Sequence, residues 1–234
     1  MLLDHRTAVQ ARSLGRYSSR QATNCLYTID TYIHVVADSG SASPSSANYV
    51  TDTMISNQFL YLATSYTNAS ICFNFKGFDR TTNDTWAANG DDRAMKTALR
   101  RGTYNTLNIY YQSELQSSPG TVGVPAGSTL LGFCSLPSAG VTPATPPSVY
   151  ILDGCNVLSG TMPGGDLNGY NLGGTTAHEV GHWNGLLHTF QDNTCSGTDF
   201  GDYVADTPQE MTSTSSLSCF LILFSVPFLL FFFC

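Results

Sequence analysis

The residues best placed to do chemistry fall in one stretch, Thr175-Thr-Ala-His178-Glu179-Val-Gly-His182-Trp-Asn-Gly185-Leu-Leu-His188. On a helix, residues four apart stack on one face, so His178 and His182 can share a metal. Glu179 lies beside His178, within reach of a water at that metal without being a ligand. Gly185 lets the chain leave the helix through a backbone conformation costly for other residues, and the turn brings His188 back as third nitrogen ligand. Three protein ligands leave a fourth position open, the arrangement of catalytic rather than structural zinc. Zinc there lowers the pKa of water towards about 7 and polarises a carbonyl, while Glu179 takes the proton of the attacking water and delivers it to a leaving amine. Isolated histidines are mostly surface or core residues, and His5 and His34 are read that way, as a tail residue and a strand residue. The other three of the five histidines share one eleven-residue pattern with Glu and Gly also placed. By composition such a match arises by chance in about one chain in 10⁵. The candidate site is therefore His178, His182 and His188 for the metal and Glu179 for the base.

The elements that position this stretch come from periodicity. Leu26 to Asp38 reads as a strand, with Ile29, Tyr32, Ile33, Val35 and Val36 β-branched or aromatic. Ser39–Asn48 is loop, and Val50–Tyr66 carries apolar residues at helical spacing. Ile71–Phe78 alternates as a strand. Asp91–Arg101 reads as a short helix with acids first, Arg100 and Arg101 last and Gly102 as its stop. Leu107–Tyr111, Leu130–Cys134 and Val149–Leu152 are further expected strands, with Pro125, Pro137, Pro143, Pro146 and Pro147 punctuating the loops. The motif helix is expected to start at a Thr175 or Thr176 cap. Strand, helix, strand, helix, strands and motif helix together predict a mixed α/β domain, a twisted sheet backed by helices.

Composition narrows the partners and the compartment. The 234 residues carry a net charge of −7, with 42% apolar and only 12% charged residues. Arg6, Arg12, Arg16 and Arg20 stand against Asp4 alone in the first twenty residues, leaving 16 acids against 6 bases in the rest. That body offers no basic patch for nucleic acid. The seven cysteines (25, 72, 134, 155, 195, 219, 234) show no CxxC pair and no zinc-finger spacing. With the sequons Asn68-Ala-Ser70 and Asn83-Asp-Thr85, they point to an oxidising compartment and a secreted glycoprotein. Met1-Leu-Leu-Asp-His-Arg has no apolar h-region, so no signal peptide is read here. The Arg- and Ser-rich residues 1–22 resemble a transit peptide, although a remnant of a longer precursor is the favoured reading. Phe220–Cys234 is almost wholly apolar but spans 15 residues and contains Pro227, short of the roughly 20 that cross a bilayer as a helix. Phe, Leu, Ser, Cys and Pro share pyrimidine-rich codons, so a retained intron or a frameshift is favoured over a glycolipid-anchor signal or a tail anchor.

The pattern HExxHxxGxxH is the metzincin signature, and the chain resembles the pappalysin group, most of all its fungal extracellular metalloproteases. The residues that carry this resemblance include His188-Thr-Phe-Gln, Cys195 and Gly201-Asp-Tyr-Val-Ala-Asp-Thr-Pro. Upstream, Ile29-Asp-Thr-Tyr-Ile-His-Val-Val, Ala94-Met-Lys-Thr-Ala-Leu-Arg-Arg-Gly-Thr-Tyr and Asp153-Gly-Cys-Asn-Val-Leu-Ser-Gly-Thr-Met-Pro-Gly-Gly fit the same pattern. The resemblance implies a metzincin-like zincin domain over 26–210, between a ragged segment 1–25 and a Ser/Thr spacer with apolar tail, 211–234. It implies a secreted, disulfide-bonded, monomeric zinc endopeptidase with one catalytic Zn2+ and protein or peptide substrates. Membrane contact is expected only if the apolar tail is genuine. Ca2+ is a second candidate cofactor, at Asp202 and Asp206, against the favoured reading of a solvated acidic turn. The family pattern continues past Asp206-Thr-Pro to a Met-turn and a final helix, for which this chain has no counterpart. The C-terminal subdomain is thus expected to be incomplete, and Cys195, whose counterpart in relatives pairs downstream, to be free or misbridged. The alternative function is accordingly a truncated product, inactive or weakly zinc-binding.

Overall fold

The computed structural model describes residues 25–119, 124–142, 144–191, 201–204 and 207–213. Five strands form one sheet in the order β2-β1-β3-β5-β4. They are β1 (Tyr27–Ala37), β2 (Ile71–Thr82), β3 (Leu107–Gln112), β4 (Gly132–Cys134) and β5 (Cys155–Leu158). β1 pairs in parallel with β2 and β3, β3 in parallel with β5, and β4 closes the edge antiparallel to β5. The helices are α1 (Asp52–Ser65), α2 (Asp84–Ala87), α3 (Asp92–Leu99) and α4 (Gly174–Trp183). The expected mixed α/β architecture is the observed one.

Helix α1 forms because Ile55, Gln58, Phe59, Leu62 and Ala63 recur at three- and four-residue steps and bury one face. Its first turn is capped by Thr51 Oγ1, which accepts the Met54 amide at 3.2 Å. That face packs with Val180 of α4 on a sheet surface of Ile33, Val35, Phe73, Phe75, Ile109, Tyr111 and Val157. The opposite sheet face carries a smaller cluster of Val36, Tyr110, Met95 and Leu99. β3 is therefore buried on both sides along its whole length, which explains its unalternating sequence.

Two bridges pin the sheet. Cys25–Cys72 ties the start of β1 to β2, and Cys134–Cys155 joins paired residues of β4 and β5. Cys195, Asp206 and the apolar tail lie outside the described residues. Of the two sequons, Asn68 is exposed on a turn after α1, whereas Asn83 caps α2 through its side-chain oxygen. No helix among the described residues is long and apolar enough to cross a membrane.

The structure departs from the expected elements in two places. The strand expected at Val149–Leu152 is instead a 3-10 turn and its exit, with Val149 and Leu152 exposed. Pro146 and Pro147 start that turn, and the strand begins only after Gly154, at Cys155. The short helix α2 is the other: it has one turn and so no periodicity that a sequence could show.

Candidate active site

Helix α4 has no side-chain cap, contrary to expectation. Its cap is Gly173, in a left-handed conformation (φ 93°) that suits glycine. The carbonyl of Gly173 accepts a hydrogen bond from the buried Gln58 Nε2 at 3.1 Å, so α1 fixes where α4 begins. Thr176 faces inward and shares a 2.9 Å hydrogen bond with the Tyr111 hydroxyl of β3. One residue on, the Tyr66 hydroxyl donates to the Ala177 carbonyl at 2.9 Å. Burial pushes both phenols up, so they stay protonated. At the far end, Trp183 Nε1 donates to Asp153 Oδ1 at 2.9 Å. That carboxylate also accepts from Ser135 Oγ at 3.0 Å and stands 3.0 Å from the Arg100 guanidinium. Four contacts from α1, its exit, β3 and the loop before β5 thus hold one ten-residue helix.

The helix ends as Gly185 predicts. The Leu186 amide donates to Gly181 O at 2.9 Å and the Gly185 amide to His182 O at 2.8 Å, with Gly185 at φ 96°. This is a Schellman turn, and it sends the chain back across the helix end to His188. Phe190 stacks on the His188 ring at 4.6 Å. The segment is pinned downstream, where Thr189 Oγ1 donates to Glu210 Oε2 at 3.0 Å.

Three imidazoles meet as a result. The Nε2 atoms of His178, His182 and His188 stand 3.1, 3.1 and 3.2 Å from one another. Three nitrogens bound to one tetrahedral zinc would stand about 3.3 Å apart, so the spacing fits that ion. The tautomer fits too. His182 Nδ1 lies 2.8 Å from the Leu186 carbonyl and must donate to it, which leaves Nε2 bare and aimed at the centre. Burial first, then the charges of His182 and His188, pushes His178 down to about 4. Burial and then His182 push His188 down as well. Both shifts favour the neutral imidazole, the form that ligates, at His178 and His188. These three residues can hold a metal ion.

A family model described as Peptidase_M43, pregnancy-associated plasma protein-A, matches residues 91–225. The chain belongs to the peptidase M43 family. It is 47% identical over 199 residues to an extracellular metalloprotease of Aspergillus oryzae, covering 80% of this chain and 61% of that one. It is 45% identical over 218 residues to one of Aspergillus fumigatus, covering 86% of this chain and 66% of the relative. With one of Pyricularia oryzae it shares 44% over 206 residues, 88% of this chain and 64% of the other. The chain thus spans less than two thirds of the length of these relatives.

In this M43 chain the three expected ligands do come together, and Glu179, on the helix that carries His178 and His182, is buried, only 6% exposed. Its carboxyl is pushed up to about 7 by burial alone. Asp202, one of the two calcium candidates, accepts the Val204 amide at 3.0 Å in a local turn, consistent with the plainer reading. Sequence reasoning missed Gln58, Tyr66, Tyr111 and Asp153, whose roles depend on distant segments meeting. His34, read as a strand residue, is on β1 and fully buried, between Asp79 and Asn108.

Proposed function

We propose that the chain is a secreted zinc endopeptidase that hydrolyses peptide bonds of extracellular proteins, with Glu179 as general base. The observation that carries this reading is the convergence of the Nε2 atoms of His178, His182 and His188, with the buried carboxyl of Glu179 on the helix that carries the first two. The extracellular metalloprotease names of the relatives support both the reaction class and the compartment. When bound, zinc supplies the Lewis acid that polarises the scissile carbonyl. His178, His182 and His188 hold it, and the Leu186 carbonyl keeps His182 in the ligating tautomer. Glu179 accepts the proton of the attacking water on a carboxylate oxygen. It then passes that proton to the departing amine nitrogen as the carbon–nitrogen bond breaks. A carboxyl raised towards neutrality suits both transfers, because it neither holds nor refuses the proton strongly.

The test is zinc content and casein cleavage, with and without chelator, of the purified wild type, Glu179→Gln and His188→Ala. Glu179→Gln should keep one zinc and lose about 10²–10⁴-fold in rate. His188→Ala should lose the zinc itself, since two imidazoles four apart make a poor site. Wild-type cleavage by Glu179→Gln would sink the mechanism. A zinc-loaded wild type that cleaves nothing would favour the non-catalytic alternative.

A further inference from the structure

Glu179 has a neighbour with no side chain. β4 runs beside α4, and a Cβ built on Gly132 would lie 2.7 Å from Glu179 Cγ, 3.0 Å from Cδ and 3.0 Å from Oε1. Real carbon atoms do not approach that closely, so any side chain at position 132 must displace Glu179 or the strand. The Gly132 backbone is not in a left-handed conformation, so the glycine is not required by its own dihedrals. Its absent side chain is what the fold uses.

Neither partner is free to retreat. Gly132 pairs with Val157 of β5, the Leu158 amide donates to Leu131 O at 2.9 Å, and the Cys134–Cys155 bridge closes the strand two residues on. On the other side, α4 is held by Gln58, Tyr111, Tyr66 and Asp153 through the contacts above. The close atom is Cγ, next to the root of the side chain rather than at its flexible end. Relief therefore has to come from rotating Glu179 about its first side-chain bond, and neighbouring staggered wells place a carboxylate several ångströms apart, by about the length of the side chain.

We propose that Gly132 is a positioning residue: the edge strand offers a side-chain-free seat, and that seat fixes the rotamer through which Glu179 presents its carboxylate beside the three histidines. The inference rests on the hydrolase reading only for its consequence on rate. The contact itself does not depend on that reading.

The experiment is a double-mutant cycle read two ways. In metal-free protein, Gly132→Ala should lower Tm by about 2–10 °C, the scale of overpacking in a domain of this size. In the Glu179→Ala background, where Cγ, Cδ and Oε1 are gone, the same substitution should lower Tm by less than about 1 °C, or raise it, because alanine restricts the unfolded chain. Equal shifts in both backgrounds would overturn the contact. In zinc-loaded protein, Gly132→Ala should reduce kcat at least tenfold, with zinc affinity, measured by chelator competition, within about twofold of wild type. In the Glu179→Gln background it should change the residual rate by less than about twofold, because its effect runs through the base. Full kcat in Gly132→Ala, or an equal loss in the Glu179→Gln background, would overturn the positioning role. A wild type without hydrolysis would instead count against the proposed function, leaving the melting cycle to decide the contact.

Discussion

Replacing Asp153 by asparagine tests the support of the site helix at its most charged point. The Asp153 and Arg100 side chains are 7% and 4% exposed and stand 3.0 Å apart. Removing one partner of a buried ion pair costs about 3–5 kcal/mol, because the remaining charge is stranded away from water. Arg100 also donates to the carbonyls of Asp153 and Thr103, both at 3.0 Å, so part of its charge remains solvated by protein. The lower end, about 3 kcal/mol, is therefore expected for Asp153→Asn. For a domain of this size that is a fall in Tm of about 6–12 °C. Urea unfolding of metal-free protein with disulfides intact, followed by tryptophan fluorescence, measures it directly. The mechanism is separated from general damage by repeating the substitution on Arg100→Met. With no charge left to strand, Asp153→Asn should then cost less than about 1 kcal/mol. A cost below 1 kcal/mol in the wild type, or an equal cost in both backgrounds, refutes the reasoning. Since Asp153 also receives the Trp183 indole, the residue after His182, zinc affinity should fall about 10–100-fold in the same variant.

Opening the two bridges should cost unequal amounts. By loop closure, the Cys134–Cys155 separation of 21 residues is worth about 3 kcal/mol and the Cys25–Cys72 separation of 47 about 4 kcal/mol. Paired alanine variants compared by urea midpoint check the order, and only the Cys134/Cys155 pair should also depress kcat, since that bridge holds the strand under Glu179. Asp38 gives a pH signature: hydrogen bonding from Ser41 holds its carboxyl below the ordinary 3.8, against the opposing effect of burial, with Ser113 and the Gly40 and Ser41 amides adding to it. A depressed carboxyl contributes fully above its unfolded value and loses that contribution as pH falls through the folded one, so the gap in stability between wild type and Asp38→Asn should close below about pH 4. A gap that stays constant from pH 6 down to about pH 2 would refute this linkage.

What could be read from the sequence is what local geometry dictates. His178 and His182 follow from helix periodicity, and Gly185 from the conformation that a helix exit demands. The α1 helix follows from apolar residues at helical spacing, of which Phe59, Leu62 and Ala63 turn inward, whereas Leu60 stays exposed and Ile55 and Gln58 complete the buried face. β5 escaped because its four residues are all buried and so show no alternation, while Val149–Leu152, with more β-forming residues, sits behind two prolines. The start of α4 escaped for a different reason. The threonines at 175 and 176 look like caps, but Thr176 is taken inward by Tyr111, 65 residues away, and Gln58 reaches the true start from 115 residues away. No window of sequence contains both ends of such a bond. Gly132 did carry a local signal, a glycine inside an expected strand, which marks a bulge or a close approach, though not what approaches.

The contrast between the histidines and Glu179 explains why a glycine matters at this site. The ligands are oriented by directional contacts: a carbonyl on His182, a stacked ring on His188, a turn between them. Glu179 is oriented differently, since in the metal-free chain burial is what moves its carboxyl and no described residue donates a hydrogen bond to it. A hydrogen-bond donor would hold the carboxylate in place, but it would also stabilise the charged form and pull the carboxyl back down, away from the neutral range where it can both take and return a proton. Positioning by shape avoids that conflict. It leaves the base basic enough to act, and it transfers the cost of precision to a strand that must present no side chain and cannot move. Substitutions around Glu179 should therefore be felt through volume before polarity.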